Sequence, residues 1–228
     1  MALVLGVTGS IATGKSYLCS YLCDAHSAVH ADADKVVHRM YDPGKAGFDR
    51  IVAEFGEIVI GSDGYIDRKV LGAQVFGDKE RMTALTKAIG DIAGEMKSII
   101  DRWREELPSD GIAVLEAVNL IEAGYSKWCD ATWLVAAENT VALPRLMHRN
   151  SFSEDEAQQR LDSQRPWEKR APASDLVVHN DTDHQAFQAT IDSQIGQTMQ
   201  LFKEGKLPET QWHAWHAAQD IGNEKESA

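Results

Sequence analysis

Short apolar runs alternate along the chain with segments whose apolar residues recur at helical spacing. Such runs, bounded by turn residues, predict strands that are buried on both faces of a sheet. The predicted strands cover residues 2–7, 28–31, 111–118, 131–136 and 174–180. The predicted helices cover residues 15–25, 35–41, 48–55, 68–76, 80–104, 140–149, 154–165 and 182–206. This alternation predicts an α/β fold in three layers, with a parallel sheet between two layers of helices.

Three stretches depart from the simple alternation. Residues 45–105 are mostly helical and too long for a plain crossover between neighbouring strands, so we expect a helical insertion in a single domain of residues 1–228. Pro144 is expected to interrupt the helix at 140–149 or to delay its start. In the tail, residues 207–228, Trp212 and Trp215 offer apolar surface for docking, and we expect disorder from about residue 222.

Composition narrows the classes of protein. The 228 residues are 43% hydrophobic and 25% charged, as in an ordinary globular protein. The net charge of −12 argues against general nucleic-acid binding. The sequence contains no apolar run of membrane-spanning length and no signal-peptide pattern, and three cysteines suit a reducing compartment, so we expect a cytoplasmic protein. Cys19 and Cys23 are four residues apart without a zinc-spaced partner pair, which favours helix packing over metal binding.

A phosphate-loop pattern follows the first predicted strand and opens the first predicted helix. It consists of Gly9, Ser10, Ile11, Ala12, Thr13, Gly14, Lys15 and Ser16. Backbone N–H groups of such a loop, together with the helix N-terminus, surround a polyphosphate. Lys15 would reach the terminal phosphates, and the Ser16 hydroxyl would bind Mg²⁺. The pattern therefore predicts a nucleotide-binding site that also binds Mg²⁺.

Carboxylates at strand ends supply candidates for the remaining chemistry of phosphoryl transfer. Asp32 and Asp34 follow the second strand, where one can accept a hydroxyl proton and the other can help to hold metal-bound water. A helix N-cap explains either residue singly but not the pair. Glu116 ends the third strand, and a metal-water contact and a plain structural role remain open for it.

Basic residues cluster between residues 145 and 170 of this acidic chain. Arg145 and Arg149 are four residues apart, so one helical face presents both guanidinium groups, which suit phosphate oxygens. The alternative is a solvated helix with ion pairs to neighbouring carboxylates. For Arg160 and Arg170 the two interpretations stay open.

At this point the chain resembles the dephospho-coenzyme A kinases over nearly its whole length, up to about residue 205. The resemblance rests on dispersed matches that occur in order. These are Gly6-Val7-Thr8-Gly9, Asp32-Ala33-Asp34 with His38, Phe55-Gly56, Asp63-Gly64, Ile66-Asp67-Arg68, Arg145-Leu146-Met147 with Arg149, Ser153-Glu154-Asp155-Glu156, Arg160, Gln164, Ser174-Asp175 and Asn180. The phosphate loop alone indicates only a P-loop nucleotide binder.

The resemblance implies a P-loop kinase fold that transfers the γ-phosphate of ATP to the ribose 3′-hydroxyl of dephospho-coenzyme A. It implies Asp34 as general base, with Lys15 and Arg145 acting on the transferring phosphate. Arg145 and Arg149 resemble lid residues over the ATP phosphates, in a helical lid at residues 145–168. The insertion resembles the acceptor-binding domain, with Asp32, His38 and Arg68 as acceptor contacts. No membrane or nucleic-acid partner is implied.

Three departures from the family pattern lie on the acceptor or lid side. Ile89-Gly90 replaces a His-Pro pair, Val118-Asn119-Leu120 replaces Pro-Leu-Leu, and Ala142-Leu143-Pro144 lacks a Gln before the lid Arg. Two alternatives therefore stay open. One is a divergent P-loop kinase with another small hydroxyl acceptor, and the other is a nucleotide-binding relative without catalysis.

Overall fold

The structure is a computed structural model that describes residues 1–226, with side chains through residue 219. Five strands form one parallel sheet in the spatial order β2-β3-β1-β4-β5. The strands are β1 (Leu3–Gly9), β2 (Val29–Asp32), β3 (Ile112–Glu116), β4 (Ala131–Ala136) and β5 (Leu176–His179). The helices are α1 (Lys15–His26), α2 (Ala33–Arg39), α3 (Ala46–Phe55), α4 (Arg68–Val75), α5 (Lys79–Ile89), α6 (Ile92–Glu106), α7 (Asn139–Asn150), α8 (Glu154–Asp162), α9 (His184–Lys203) and α10 (Gln211–Glu226).

The central strand β1 is fully buried because its side chains face helices on both sides of the sheet. It pairs with β3 on one edge and with β4 on the other. The register places Val7 of β1 opposite Glu116 of β3. The carboxyl ends of β1 and β3 therefore meet at one edge of the sheet, where open α/β sheets bind their ligands.

The chain divides into two compact units. The first consists of residues 1–31 and 97–228 and contains the sheet and its main apolar core. The second consists of residues 32–96 and has its own apolar core, centred on Ile51, Phe55 and Leu71. The predicted helical character of the insertion is confirmed, since α3, α4 and α5 all lie in this second unit.

Two helix predictions were wrong. The single helix expected at residues 80–104 is two helices, α5 and α6, because Gly90 has a φ of 115°, which no α-helix contains. Pro144 neither interrupts nor delays α7, which begins at Asn139 and continues to Asn150. The capping box at Ser153 and Glu156 is confirmed at the start of α8.

The tail contains one long helix, α10, which begins at Gln211 and ends at residue 226. The disorder expected from about residue 222 stays a prediction. Trp212 is 7% exposed, packs with Ile121 and Ala173, and donates a hydrogen bond from Nε1 to the Ile121 carbonyl at 2.9 Å. Residues 227 and 228, where disorder was also expected, lie outside the described residues. Within the described part of the chain, no helix combines the length and apolarity needed to cross a membrane.

Candidate nucleotide-binding site

The phosphate loop connects the buried end of β1 to the first turn of α1. Its backbone is set by a close approach at Gly14, which has a φ of 99°. A Cβ at this position would collide with the side-chain amide of Asn180. That amide donates to the Thr13 carbonyl at 2.9 Å. Glycine is therefore required both by the left-handed backbone and by the packing of Asn180 against the loop.

Further hydrogen bonds hold the conformation of the loop, some between its own residues and one to a residue outside it. The Thr13 hydroxyl donates to the Ser10 carbonyl at 3.0 Å, and the Lys15 ammonium donates to the same carbonyl at 3.1 Å. The Gln164 side-chain oxygen accepts from the Ile11 N–H at 2.8 Å. Lys15 is only 9% exposed, so its charge is held at the loop and not in open solvent. The loop is preorganised for a polyphosphate.

Glu116 lies beneath the start of α1 and is 5% exposed. Its Oε1 accepts a hydrogen bond from the Ser16 hydroxyl at 2.8 Å, and its Oε2 lies 3.1 Å from Nε2 of His30. Burial by itself raises the pKa of Glu116. The hydrogen bonds from His30 and Ser16 and the charge of Lys15 outweigh burial and hold the pKa below its ordinary value. Glu116 is therefore an ionised carboxylate next to the Ser16 hydroxyl.

These oxygens fit Mg²⁺, the cation that the site chemistry implies. Mg²⁺ prefers hydroxyl, carboxylate, water and phosphate oxygens, and it is usually held by one or two protein groups. Ser16 and the ionised Glu116 are oxygen donors within 2.8 Å of each other at the phosphate loop. The structure places Glu116 in direct contact with Ser16, while its role as a metal-water contact or as a structural carboxylate stays a prediction.

The thiol of Cys19 is the third group at Glu116. It is fully buried, and its sulfur lies within 4.8 Å of the carboxylate. Burial, with a further contribution from the charge of Glu116, raises the pKa of Cys19 well above its ordinary value. Cys19 packs in the main apolar core, as the sequence suggested, and its thiol also lies near Glu116; Cys23 is only half-buried.

Arg145 reaches the loop through Asn180. Its Nη1 donates to the Asn180 carbonyl at 2.9 Å. Arg149 does not: it is exposed, and its Nε donates to the side chain of Asn150 at 2.9 Å. Of the two arginines predicted for the ATP phosphates, the structure therefore brings only Arg145 to the loop.

Two other arginines of the basic cluster have different partners. Arg170 is 5% exposed, donates to Glu122 at 2.8 Å and lies 3.5 Å from the Ser10 hydroxyl. Arg160 stacks on the ring of Phe152, with its guanidinium carbon 4.4 Å from the ring centre.

Two clefts flank the loop within the first unit. One, of about 340 Å³, lies among the loop, the start of α7 and the segment after α8, and includes Ser10, Ala142 and Trp167. The other, of about 250 Å³, lies beside Gly14. Its lining is Tyr17, Arg145, Asn180, Thr182, His184 and Phe187 together with Gly14.

The remaining predicted residues lie in the second unit, residues 32–96. Asp34 is exposed in the first turn of α2. His38 is one turn further along the same helix, and its Nδ1 accepts from Nη1 of Arg68 at 2.9 Å. Burial and the charge of Arg68 lower the pKa of His38, so the ring is neutral near pH 7. The second unit thus brings Asp34, His38 and Arg68 into one neighbourhood.

Asp32 has a local structural role. Its Oδ1 accepts from the N–H groups of Asp34 and Lys35 at 3.0 and 3.3 Å, which is an N-cap of α2. The capping interpretation that fitted either aspartate singly is confirmed for Asp32. Its predicted contacts with an acceptor or with metal-bound water stay predictions.

Sequence reasoning assigned no site role to three residues at or beside the loop: His30, Gln164 and Asn180. Gln164 and Asn180 belong to the motifs that carry the resemblance, but their contacts with the loop depend on folding. His30 lies two residues before Asp32, on the same face of β2. This two-residue spacing from Asp32 is the one feature of the sequence that could have indicated His30.

The strand order, the loop at the carboxyl end of β1 and the buried lysine define a P-loop kinase. Shikimate kinase from Bacteroides thetaiotaomicron shares this fold, with a TM-score of 0.50 and 12% identity, covering 85% of this chain and 96% of that chain. The dephospho-CoA kinase (CoaE) family model matches residues 3–186. The chain belongs to the dephospho-CoA kinase family.

Individual relatives agree with this assignment. A dephospho-CoA kinase of Geobacter sulfurreducens is 38% identical over 181 residues, which is 78% of this chain and 89% of that protein. One from Carboxydothermus hydrogenoformans is 35% identical over 179 residues, covering 78% and 85%. Among solved structures, TT1252 from Thermus thermophilus has a TM-score of 0.70 at 25% identity, covering 86% of this chain and 97% of that chain. The family is one of phosphotransferases with a hydroxyl acceptor.

Proposed function

We propose that this protein transfers the γ-phosphate of ATP to the ribose 3′-hydroxyl of dephospho-coenzyme A, which yields coenzyme A and ADP. The observation that carries the proposal is the intact, preorganised phosphate loop in a chain of this family. The partners are these small molecules, since the net charge of −12 does not suit nucleic acid. Three free cysteines support a reducing, cytoplasmic location.

The donor half of the reaction is assigned to the first unit. The loop from Gly9 to Ser16 holds the ATP phosphates, and Lys15 and Arg145 offset the charge that develops on the transferring group. The cleft beside Gly14 suits the adenine, because the partly exposed aromatic ring of Tyr17 lines it. Arg149 joins the phosphates only if the segment at residues 145–168 moves as a lid.

Ser16 and Glu116 would hold Mg²⁺, with Glu116 acting directly or through water. When bound, the ion would neutralise charge on the phosphate oxygens. The protein's own part is to keep Glu116 ionised and to orient the Ser16 hydroxyl by the 2.8 Å hydrogen bond.

The acceptor half is assigned to the second unit. Asp34 accepts the proton of the 3′-hydroxyl as that oxygen bonds to the γ-phosphorus and the bond to ADP breaks. His38 and Arg68 support acceptor binding, since Arg68 carries a positive charge suited to a phosphorylated substrate. Asp32 keeps the first turn of α2, and with it Asp34, in place.

A coupled assay of ADP release with and without dephospho-coenzyme A tests the proposal. We expect ADP release to depend on this acceptor. If the folded protein binds ATP but releases no more ADP when dephospho-coenzyme A is added, the proposed acceptor is wrong.

One observation favours a second candidate, a kinase with another small hydroxyl acceptor. Gly90 has a φ of 115°, whereas proline is fixed near −65°, so the family's His-Pro pair cannot adopt this backbone. The Arg50 guanidinium donates instead to the carbonyls of Ala88 and Ile89 at this turn. A screen of nucleosides and pantetheine derivatives decides between the candidates: turnover with dephospho-coenzyme A alone would eliminate the second.

A further inference from the structure

Three potential metal ligands converge behind the phosphate loop, and the proposed kinase reaction does not use two of them. They are the thiol of Cys19 on α1, the imidazole of His30 on β2 and the carboxylate of Glu116 at the end of β3. One ligand atom from each lies within 4.8 Å of the other two. Among the described residues, this group alone brings three such side chains together.

The donor set decides which ion would fit. Zn²⁺ is bound by combinations of Cys, His and carboxylate ligands, commonly with three protein ligands and a fourth, open position. Mg²⁺ avoids sulfur and imidazole nitrogen, whereas a borderline-soft ion accepts both. A cluster of one sulfur, one nitrogen and one oxygen atom is therefore a poor second Mg²⁺ site and a good site for a thiophilic divalent ion.

The distances are compatible with such an ion. With metal–ligand bonds of about 2.0–2.3 Å in a tetrahedron, neighbouring ligand atoms lie about 3.4–3.7 Å apart. His30 Nε2 and Glu116 Oε2 are already 3.1 Å apart, and the Cys19 sulfur lies within 4.8 Å of a ligand atom on each of them. Small side-chain shifts suffice to bring all three atoms around one ion.

Burial and access also suit a metal site. Cys19 is fully buried and Glu116 is 5% exposed, so an ion there is shielded from water on one side. The His30 side chain is 22% exposed and provides a route from solvent. On binding, the thiol proton passes to solvent as the sulfur–metal bond forms, and His30 shifts to the tautomer protonated on Nδ1, so that Nε2 bonds the ion in place of the hydrogen bond it gave to Glu116.

We propose that Cys19, His30 and Glu116 form a binding site for Zn²⁺ or a similar thiophilic divalent ion, separate from the Mg²⁺ position at Ser16. The two positions share one carboxylate: Oε2 of Glu116 faces the Cys19–His30 side, while Oε1 accepts from Ser16. The proposal does not rest on the identity of the phosphoryl acceptor.

Metal titration of the full-length protein tests the site, with its thiols kept reduced and without nucleotide. Co²⁺ is the spectroscopic probe, because a thiolate ligand gives it a charge-transfer absorption in the near ultraviolet. Zn²⁺ affinity is measured by competition with a chromophoric chelator. We expect one equivalent of Co²⁺ with the thiolate band, displacement of Co²⁺ by Zn²⁺, and no displacement by a large excess of Mg²⁺.

Variants locate the site. Cys19→Ala should abolish the thiolate band, and both Cys19→Ala and His30→Ala should weaken Zn²⁺ binding by at least about tenfold, since even outer-shell changes cost about that much. Cys23→Ala is the matched control on the same helix and should bind as the parent does. If Cys19→Ala fails to fold, the His30→Ala titration decides, because His30 is partly exposed and outside the main apolar core.

Thermal unfolding gives a second measurement. Zn²⁺ should raise the melting temperature of the parent and of Cys23→Ala, but not that of His30→Ala, because a ligand stabilises only the folded state that binds it. The proposal is overturned by an absence of stoichiometric binding, by Co²⁺ binding without a thiolate band, or by loss of the band in Cys23→Ala. Unchanged Zn²⁺ affinity in folded Cys19→Ala or His30→Ala would overturn it as well.

Discussion

The two units hold their candidate residues in different ways. In the first, the phosphate loop is tied to distant parts of the chain, through bonds from Ser16 to Glu116, Ile11 to Gln164 and Asn180 to Thr13. In the second, Asp34 is exposed and His38 is held by Arg68, only 30 residues away. A site fixed by many buried contacts tolerates little change, whereas one on an exposed helix face can vary. The departures from the family pattern occur in both units: Ile89-Gly90 lies in the second, while Val118-Asn119-Leu120 and Ala142-Leu143-Pro144 lie in the first.

Lys15→Ala should have the largest effect. Removal of a buried charge at the transferring phosphate is expected to lower kcat by about a thousandfold, as for other groups that stabilise developing charge. Steady-state kinetics of ADP release measures this. The control is Lys206→Ala, whose parent side chain is exposed and paired with Glu204. If Lys15→Ala retains more than a tenth of the parent kcat, the preorganised loop is not the source of catalysis.

Asp34→Asn should lower kcat by about a hundredfold, because the acceptor hydroxyl loses its general base. ATP affinity, measured by calorimetry, should stay unchanged, since the substitution lies outside the loop. Asp49→Asn, on an exposed part of α3, is the matched control. Near-normal turnover in Asp34→Asn would move the role of base to Asp32 or Glu116.

Arg145→Ala should raise the KM for ATP by about tenfold, because its guanidinium lies against Asn180 at the loop. Arg149→Ala should have a smaller effect, since Arg149 bonds only to its neighbour Asn150 among the contacts described. Initial rates over a range of ATP concentrations measure both. A larger effect at Arg149 would show that the lid segment moves when ATP binds, and the present arrangement of the two arginines would not be the working one.

Arg50→Ala tests the local stability of the second unit and should leave the loop intact. It removes two charge-assisted hydrogen bonds, to Ala88 and Ile89 carbonyls at 2.7 and 2.9 Å. The free energy of unfolding should fall by about 1–2 kcal/mol. Urea unfolding measures the change, and hydrogen exchange at residues 88–92 locates it. Lys87→Ala, exposed on α5 next to the carbonyls that Arg50 contacts, is the control; equal stability of the two variants would mean that Arg50 does not secure this turn.

Prediction from sequence succeeded where the signal was local. The loop at residues 9–16, the strands around it and the capping box at Ser153 each depend on neighbours within a few residues, so pattern and spacing sufficed. It failed at Gly90 and at Pro144. Gly90 breaks a long amphipathic pattern that otherwise continues on both sides, and Pro144 is tolerated within α7 although it lacks an N–H group.

By itself the sequence determined the nucleotide chemistry: a glycine-rich turn, a lysine and a hydroxyl between a buried strand and a helix can be recognised without tertiary information. Only the tertiary structure decided which side chains surround that loop. Gln164 and Asn180 reach it from more than 150 residues away, and Arg145 reaches it where Arg149 does not. The meeting of Cys19, His30 and Glu116 is of the same kind, because a parallel sheet brings together strand ends that are far apart in the chain.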